Sequence, residues 1–118
     1  MKPLLFGLFS LFCVSVKAQT NIKLDEVSKH IGDSVTVCGK VSDMRYFENS
    51  SKQPTFLNIG DKYPNQQLTL VIWGETRKLF AGKIDNIRGK DICITGRIIL
   101  YKEKPEIVIE KTEQIVVQ

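Results

Sequence analysis

From residue 35 onward, the apolar side chains recur at every second position in short runs separated by turn-forming residues. Period two puts one face of each run into a core and the other into water, which predicts half-buried strands of an all-β domain. Val35-Thr36-Val37-Cys38-Gly39-Lys40-Val41 is the first run, Thr55-Phe56-Leu57-Asn58-Ile59 the second and Leu68 to Trp73 the third. The Tyr63-Pro64-Asn65 turn predicts that the second and third form a hairpin. Asp91 to Tyr101 predicts a long fourth strand, Lys102-Glu103-Lys104-Pro105 a turn, and Glu106 to Glu110 a fifth strand. Ile115-Val116-Val117 adds a sixth, short one.

Elsewhere the period changes. Leu24, Val27 and Ile31 fall at i, i+3 and i+7, with Asp25 and Glu26 in the first turn and Gly32 past the end. That pattern predicts a short amphipathic helix. Glu75 to Ala81, stopped by Gly82, predicts two helical turns between the third and fourth strands. Ser42 to Pro54 is polar and lacks alternation, and predicts a long loop.

The first 18 residues stand apart from this pattern. Lys2 precedes an apolar run from Leu4 to Val16, and Val16-Lys17-Ala18 presents suitable residues at −3 and −1 of a cut before Gln19. This is the layout of a secretory signal peptide, and the run is too short to span a membrane. An uncleaved N-terminal anchor is the alternative; a lipoprotein cut at Cys13 is disfavoured by bulky Phe12. The expected organisation is a signal peptide over 1–18 and one domain over 19–118, exported in the bacterial manner to the periplasm or beyond. The chain has 17 basic and 13 acidic residues. Without Lys2 and Lys17, 15 basic residues face 13 acidic ones, a net charge of +2. Such a balance permits an anionic partner without requiring one.

Cysteine usage fits export. Of three cysteines, Cys13 leaves with the signal, and Cys38 and Cys93 remain as an even pair, a disulfide candidate in an oxidising compartment. Two cysteines and His30 cannot build a usual zinc site, so no metal and no other cofactor is expected.

Five strands with a short helix between the third and fourth resemble the OB-fold, a partly open Greek-key barrel. The resemblance covers roughly residues 32–112. Gly39 and Gly96 sit mid-strand, where bent barrel strands need a missing side chain. Val35 to Val41 and Ile92-Cys93-Ile94-Thr95-Gly96-Arg97-Ile98 look like the first and fourth OB strands, which lie side by side in that fold. Thr55-Phe56-Leu57-Asn58-Ile59-Gly60-Asp61 resembles the second strand of nucleic-acid-binding OB domains, anticodon-binding ones included. Tyr101-Lys102-Glu103-Lys104-Pro105-Glu106-Ile107 resembles the turn between the fourth and fifth strands of small OB domains attached to bacterial nucleases. The resemblance implies a five-stranded Greek-key barrel with a short N-terminal helix and a short helix between strands three and four. With the valines and isoleucines inward, it also places Cys38 and Cys93 outward on one surface. A cross-strand disulfide is then expected; two free thiols are the alternative, and strand register decides.

In OB domains, ligands lie across strands two and three, flanked by two loops. Single-stranded nucleic acid stacks its bases on exposed aromatics there while basic side chains follow the phosphates. Inward Leu57 and Ile59 leave Phe56 and Asn58 outward; inward Leu68, Leu70 and Ile72 leave Thr69, Val71 and Trp73 outward. Phe56 stands where similar anticodon-binding domains place a stacking aromatic. Arg45, Tyr46, Phe47 and Lys52 fall in the first loop, and Tyr101, Lys102 and Lys104 at the second. The expected ligand-binding set is therefore Arg45, Tyr46, Lys52, Phe56, Asn58, Thr69, Trp73, Tyr101, Lys102 and Lys104. Asp43, Glu48, Glu103 and Glu106 offset its positive charge. In the competing reading, Phe56 and Trp73 are covered by the Ser42–Pro54 loop or the N-terminal helix and form a second small core.

Catalysis is not expected. His30 has no serine or cysteine nucleophile beside it, the acids form no recognisable pair, and no glycine-rich phosphate loop occurs. The expected function is weak binding of single-stranded nucleic acid or nucleotides by an exported module. The alternative is an envelope protein using the same barrel for another ligand or a protein partner, as small periplasmic OB proteins of the stress-tolerance type do.

Overall fold

The computed structural model describes residues 20–118; the signal-peptide reading of residues 1–18 lies outside the described residues. The chain enters through strand β1 (Thr20–Ile22) and a 3-10 helix, Leu24–Lys29. Strand β2 (Ser34–Tyr46), β3 (Thr55–Ile59) and β4 (Leu68–Ile72) follow, then helix α1 (Gly74–Leu79). Strands β5 (Asp91–Arg97), β6 (Ile99–Tyr101) and β7 (Lys104–Ile109), a 3-10 turn at Thr112–Gln114 and β8 (Ile115–Val117) complete it. The strand order is β6-β7-β4-β3-β2-β5-β8, with β1 parallel to β2. All other neighbours are antiparallel except β4 and β7. The all-β expectation holds; β1 and β6 are strands that periodicity alone did not separate.

Strand β2 holds the sheet together. Its first half, Ser34–Lys40, pairs with β5, and its second half pairs with β3. Between them the register shifts at Val41/Asp43, a bulge that bends the strand from one pairing to the other. The bulge explains why Ser42–Tyr46 looks like a loop in sequence. Inward residues go from Val41 to Met44, a spacing of three, so strict alternation fails just where the strand continues. Arg45 and Tyr46 consequently stand on a strand and not in a loop.

The fourth predicted strand divides at Ile98. Its amide donates to Asp33 O and its carbonyl accepts from Gly32 N, so the chain leaves β2 there and β6 pairs with β7. Lys102 and Glu103 both have positive φ and close a two-residue hairpin between β6 and β7. The N-terminal helix is of the 3-10 type, its hydrogen bonds spanning three residues: Glu26 N donates to Lys23 O and His30 N to Val27 O. It still buries Val27 and packs Leu24 against the core, while Glu26 accepts the Lys23 amide at 2.8 Å.

The core is aliphatic: Val35, Val37, Val41, Leu57, Ile59, Leu68, Leu70, Ile72, Ile92, Ile94, Ile107 and Ile109 are all sealed from solvent. Gly39 and Gly96 face this core. A Cβ on either would meet the Cγ2 of Ile59 or Ile107, respectively, at 2.6 Å. On the outer surface Cys38 and Cys93 are register partners and are joined by a disulfide, as expected from side-by-side first and fourth OB strands.

Candidate functional site

Four adjacent strands carry a row of polar residues across their outer face. Asp43 on β2 is the register partner of Asn58 on β3, Asn58 of Thr69 on β4, and Thr69 of Glu106 on β7. Asn58 donates its Nδ2 to Asp43 Oδ1 at 3.0 Å. Its Oδ1 accepts the Thr69 hydroxyl at 3.1 Å, and Thr69 Oγ1 accepts Gln66 Nε2 at 2.9 Å. Asp43 Oδ2 also accepts the Tyr63 amide at 3.0 Å. Asn58 and Thr69 are only 2% and 6% exposed, so this relay is the satisfied floor of the face and not a loose set of side chains.

Two residues before Asn58 on β3, Phe56 opens an aromatic patch completed by Phe47 and Tyr63 from the neighbouring loops. Phe56 is half-buried and meets Phe47 edge-on, with centroids 5.6 Å apart. The Arg45 guanidinium lies 5.5 Å from the Phe47 ring and 5.9 Å from the Tyr63 ring. On the opposite rim Lys102 lies 5.4 Å from the Tyr101 ring, and Lys104 donates to Pro64 O at 3.2 Å. Together these walls enclose a cleft of about 340 Å³ over the polar row. At its β7 side, burial pushes the Glu106 carboxyl above its ordinary value of 4.5.

Seven of the ten expected residues line this cleft: Arg45, Phe56, Asn58, Thr69, Tyr101, Lys102 and Lys104. The other three do not. Trp73 follows β4 at the N-cap position of α1, where, 39% exposed, it carries Lys52 Nζ 5.7 Å from its ring in a separate recess. Tyr46 alternates to the other face of β2 and stacks on Arg77 at 3.9 Å. Arg77 is held there by Thr55 Oγ1 and Asp85. Phe47, from the Ser42–Pro54 segment, packs against Phe56 and leaves it half-buried on the wall of the open cleft. Phe47, Tyr63, Gln66 and Glu106 also line the cleft, outside the expected binding set, although the sequence places Phe47 in the first loop and Glu106 among the offsetting acids. Glu106 was readable as the outward neighbour of inward Ile107, and Phe47 as the next outward position after Arg45. Tyr63 and Gln66 lie in an aperiodic turn that gives no such signal.

Among the described residues no group of three His, Cys, Asp or Glu side chains is placed to hold a metal, and no helix is long and apolar enough to cross a membrane. His30 pairs with Asp33 at 3.1 Å on the surface, away from the cleft-lining residues.

The family profile of the OB-fold nucleic acid binding domain matches residues 35–115. The chain belongs to this family. No curated protein matches its sequence. Among solved structures, it is similar to an OBody bound to hen egg-white lysozyme, with 17% identity, TM-score 0.59, and 88% of this chain and 98% of that one covered. It is also similar to a chain of yeast Stn1 and Ten1 (16%, TM-score 0.59, 86% and 63% covered). Asparaginyl-tRNA synthetase from Entamoeba histolytica is a third (20%, TM-score 0.58, 86% covered), of which the chain spans 24%. At these identities the likenesses show the fold alone. For an OB-fold nucleic acid binding domain, the cleft across β3 and β4 occupies the face on which such barrels hold their ligands.

Proposed function

We propose that this OB-fold domain is an exported module that binds single-stranded nucleic acid or nucleotides, weakly, in the cleft over Phe56. The observation that carries this reading is one open cleft combining a half-exposed stacking ring with Arg45, Lys102 and Lys104 at its rims. Bases offer a π-face to the ring and phosphates offer charge to the rims, without any need for catalysis. Three cations at the rims, on residues 19–118 with a net charge of only +2, give modest phosphate neutralisation, hence weak and salt-sensitive binding. Fluorescence anisotropy of a labelled single-stranded hexamer tests it. Saturable binding at low salt that Phe56→Ala weakens supports the reading, and no binding at low salt sinks it. Trp73 is unsuitable as the reporter because it lines a different recess. Export is tested separately: cell fractionation and mass spectrometry should recover the chain outside the cytoplasm, beginning at Gln19.

A second reading rests on Trp73 itself. An exposed tryptophan beside Lys52, set apart from the nucleic-acid cleft, is the kind of residue that anchors protein interfaces. In this reading the barrel also docks an envelope protein through the β4–α1 corner. Capture of a specific envelope partner that survives nuclease treatment and is lost in Trp73→Ala supports it; capture abolished by nuclease refutes it.

A further inference from the structure

The polar floor of the cleft has a direction, and that direction selects a ligand edge. Asp43 can only accept, so Asn58 must present its amide nitrogen to Asp43 and its oxygen to Thr69. Thr69 has one hydroxyl proton, which goes to Asn58, so it must accept from the nitrogen of Gln66. Every donor in the relay therefore points toward Asp43, and the amide orientation of Gln66 is fixed at the far end. Its Oε1 is left as a buried acceptor with no hydrogen-bond partner, the one such side-chain atom among the described residues. Glu106, the register partner of the Thr69 to which Gln66 donates, lines the same cleft; no side chain among the described residues forms a salt bridge or hydrogen bond with its carboxylate.

Two acceptors without donors, at the side of an aromatic cleft, are complementary to a flat ring with two neighbouring N–H groups. Guanine alone among the common bases offers this on its Watson–Crick edge, with N1–H next to the N2 amine. Uracil has one N–H flanked by two carbonyls, which would face the acceptors; adenine and cytosine each have one amine beside an acceptor nitrogen. An unpaired buried acceptor costs desolvation that only a matching donor offsets, so such a site rejects mismatched edges as well as favouring the matched one.

Resting on the reading of the cleft as a nucleic-acid site, we propose that its β7 side is a guanine subsite, in which Glu106 and the Gln66 carbonyl accept the guanine N1–H and N2 amine while Phe56 stacks on the ring. Asn58 and Thr69 act as positioning residues, setting the Gln66 amide and leaving none of their own groups for the base.

The test compares labelled oligo-U hexamers carrying one central G, inosine, A, C or U, against the full domain, by anisotropy at low salt. Inosine keeps N1–H and lacks the N2 amine. The expected order is G tightest, inosine between, and A, C and U weakest, with G about tenfold tighter than U. Glu106→Gln, which replaces one acceptor with a donor, should bring the G and U hexamers within about twofold, and Gln66→Leu should shrink the same gap. Thermal melts of both variants confirm that they fold. Equal affinity for all five hexamers overturns the guanine subsite and leaves the nucleic-acid reading standing. Binding of none of them overturns both. A G preference that persists undiminished in Glu106→Gln overturns the assignment to this residue.

Discussion

Asn58 is held between Asp43 and Thr69, donating to the first at 3.0 Å and accepting from the second at 3.1 Å, while only 2% of it is exposed. Both its polar ends are used, so its role is to fix neighbours and not to reach for a ligand. Replacing it with leucine strands Asp43 and Thr69 without their shared partner. We expect Asn58→Leu to lose about 1–3 kcal/mol of stability in urea melts, the cost of unpaired buried polar groups. Its oligonucleotide affinity should fall too, because Gln66 loses its anchor through Thr69.

Phe56 and Trp73 line separate recesses. Stacking on one ring is worth about 1–3 kcal/mol per base. Phe56→Ala should therefore weaken hexamer binding by about tenfold, while Trp73→Ala leaves it within twofold in the same anisotropy assay.

Salt gives an independent count of phosphate contacts. With Arg45, Lys102 and Lys104 each meeting one phosphate, the logarithm of affinity should fall with the logarithm of salt at a slope of about −2. Lys102→Ala should make that slope shallower by about 0.7, read from titrations between 50 and 200 mM salt as a rough working range.

Glu106 makes stability depend on acidity. Its carboxyl is raised above 4.5 by burial, so the folded state holds the proton more tightly than the unfolded chain. Between the ordinary value and the raised one the native state binds more protons, and stability falls as pH rises through that window. Above it the ionised group is a standing penalty. Glu106→Gln should raise the melting temperature at pH 7 and remove that part of the slope, as measured by thermal melts from pH 4 upward.

The Cys38–Cys93 link closes a separation of 55 residues. Chain-entropy reasoning assigns such a link on the order of 2–4 kcal/mol. Cys38→Ser with Cys93→Ser should lower stability by that amount while oligonucleotide binding persists, since neither residue lines the cleft.

Sequence periodicity read most of the barrel. Thr55–Ile59 matches β3 without adjustment, and the inward valines and isoleucines of β2 and β5 are those that are sealed. It failed where pairing changed partners. The bulge after Val41 broke the alternation of β2, and the corner at Ile98 interrupts no pattern in sequence because Ile98 is as apolar as its neighbours. The cleft is legible through Phe56, which follows from outward parity, and through Tyr101 and the lysines beside it, which follow from their place at the turn between the predicted fourth and fifth strands. Trp73 was assigned by the same parity, yet β4 ends at Ile72 and α1 begins at once, so the ring turns away. Gln66 could not be found from sequence, because its orientation depends on a hydrogen-bond relay through Thr69 and Asn58 to Asp43 on three strands.

Strand β2 carries the disulfide at one end and Asp43 and Arg45 at the other, on either side of a single bulge. The half that is covalently tied to β5 acts as a clamp, and the half that frames the cleft is a cantilever projecting from it. Amide exchange should accordingly be slow along Val35–Val37 and quicken beyond the bulge, with bound ligand slowing only the outer segment. A barrel built this way can let its binding edge breathe without loosening its anchor.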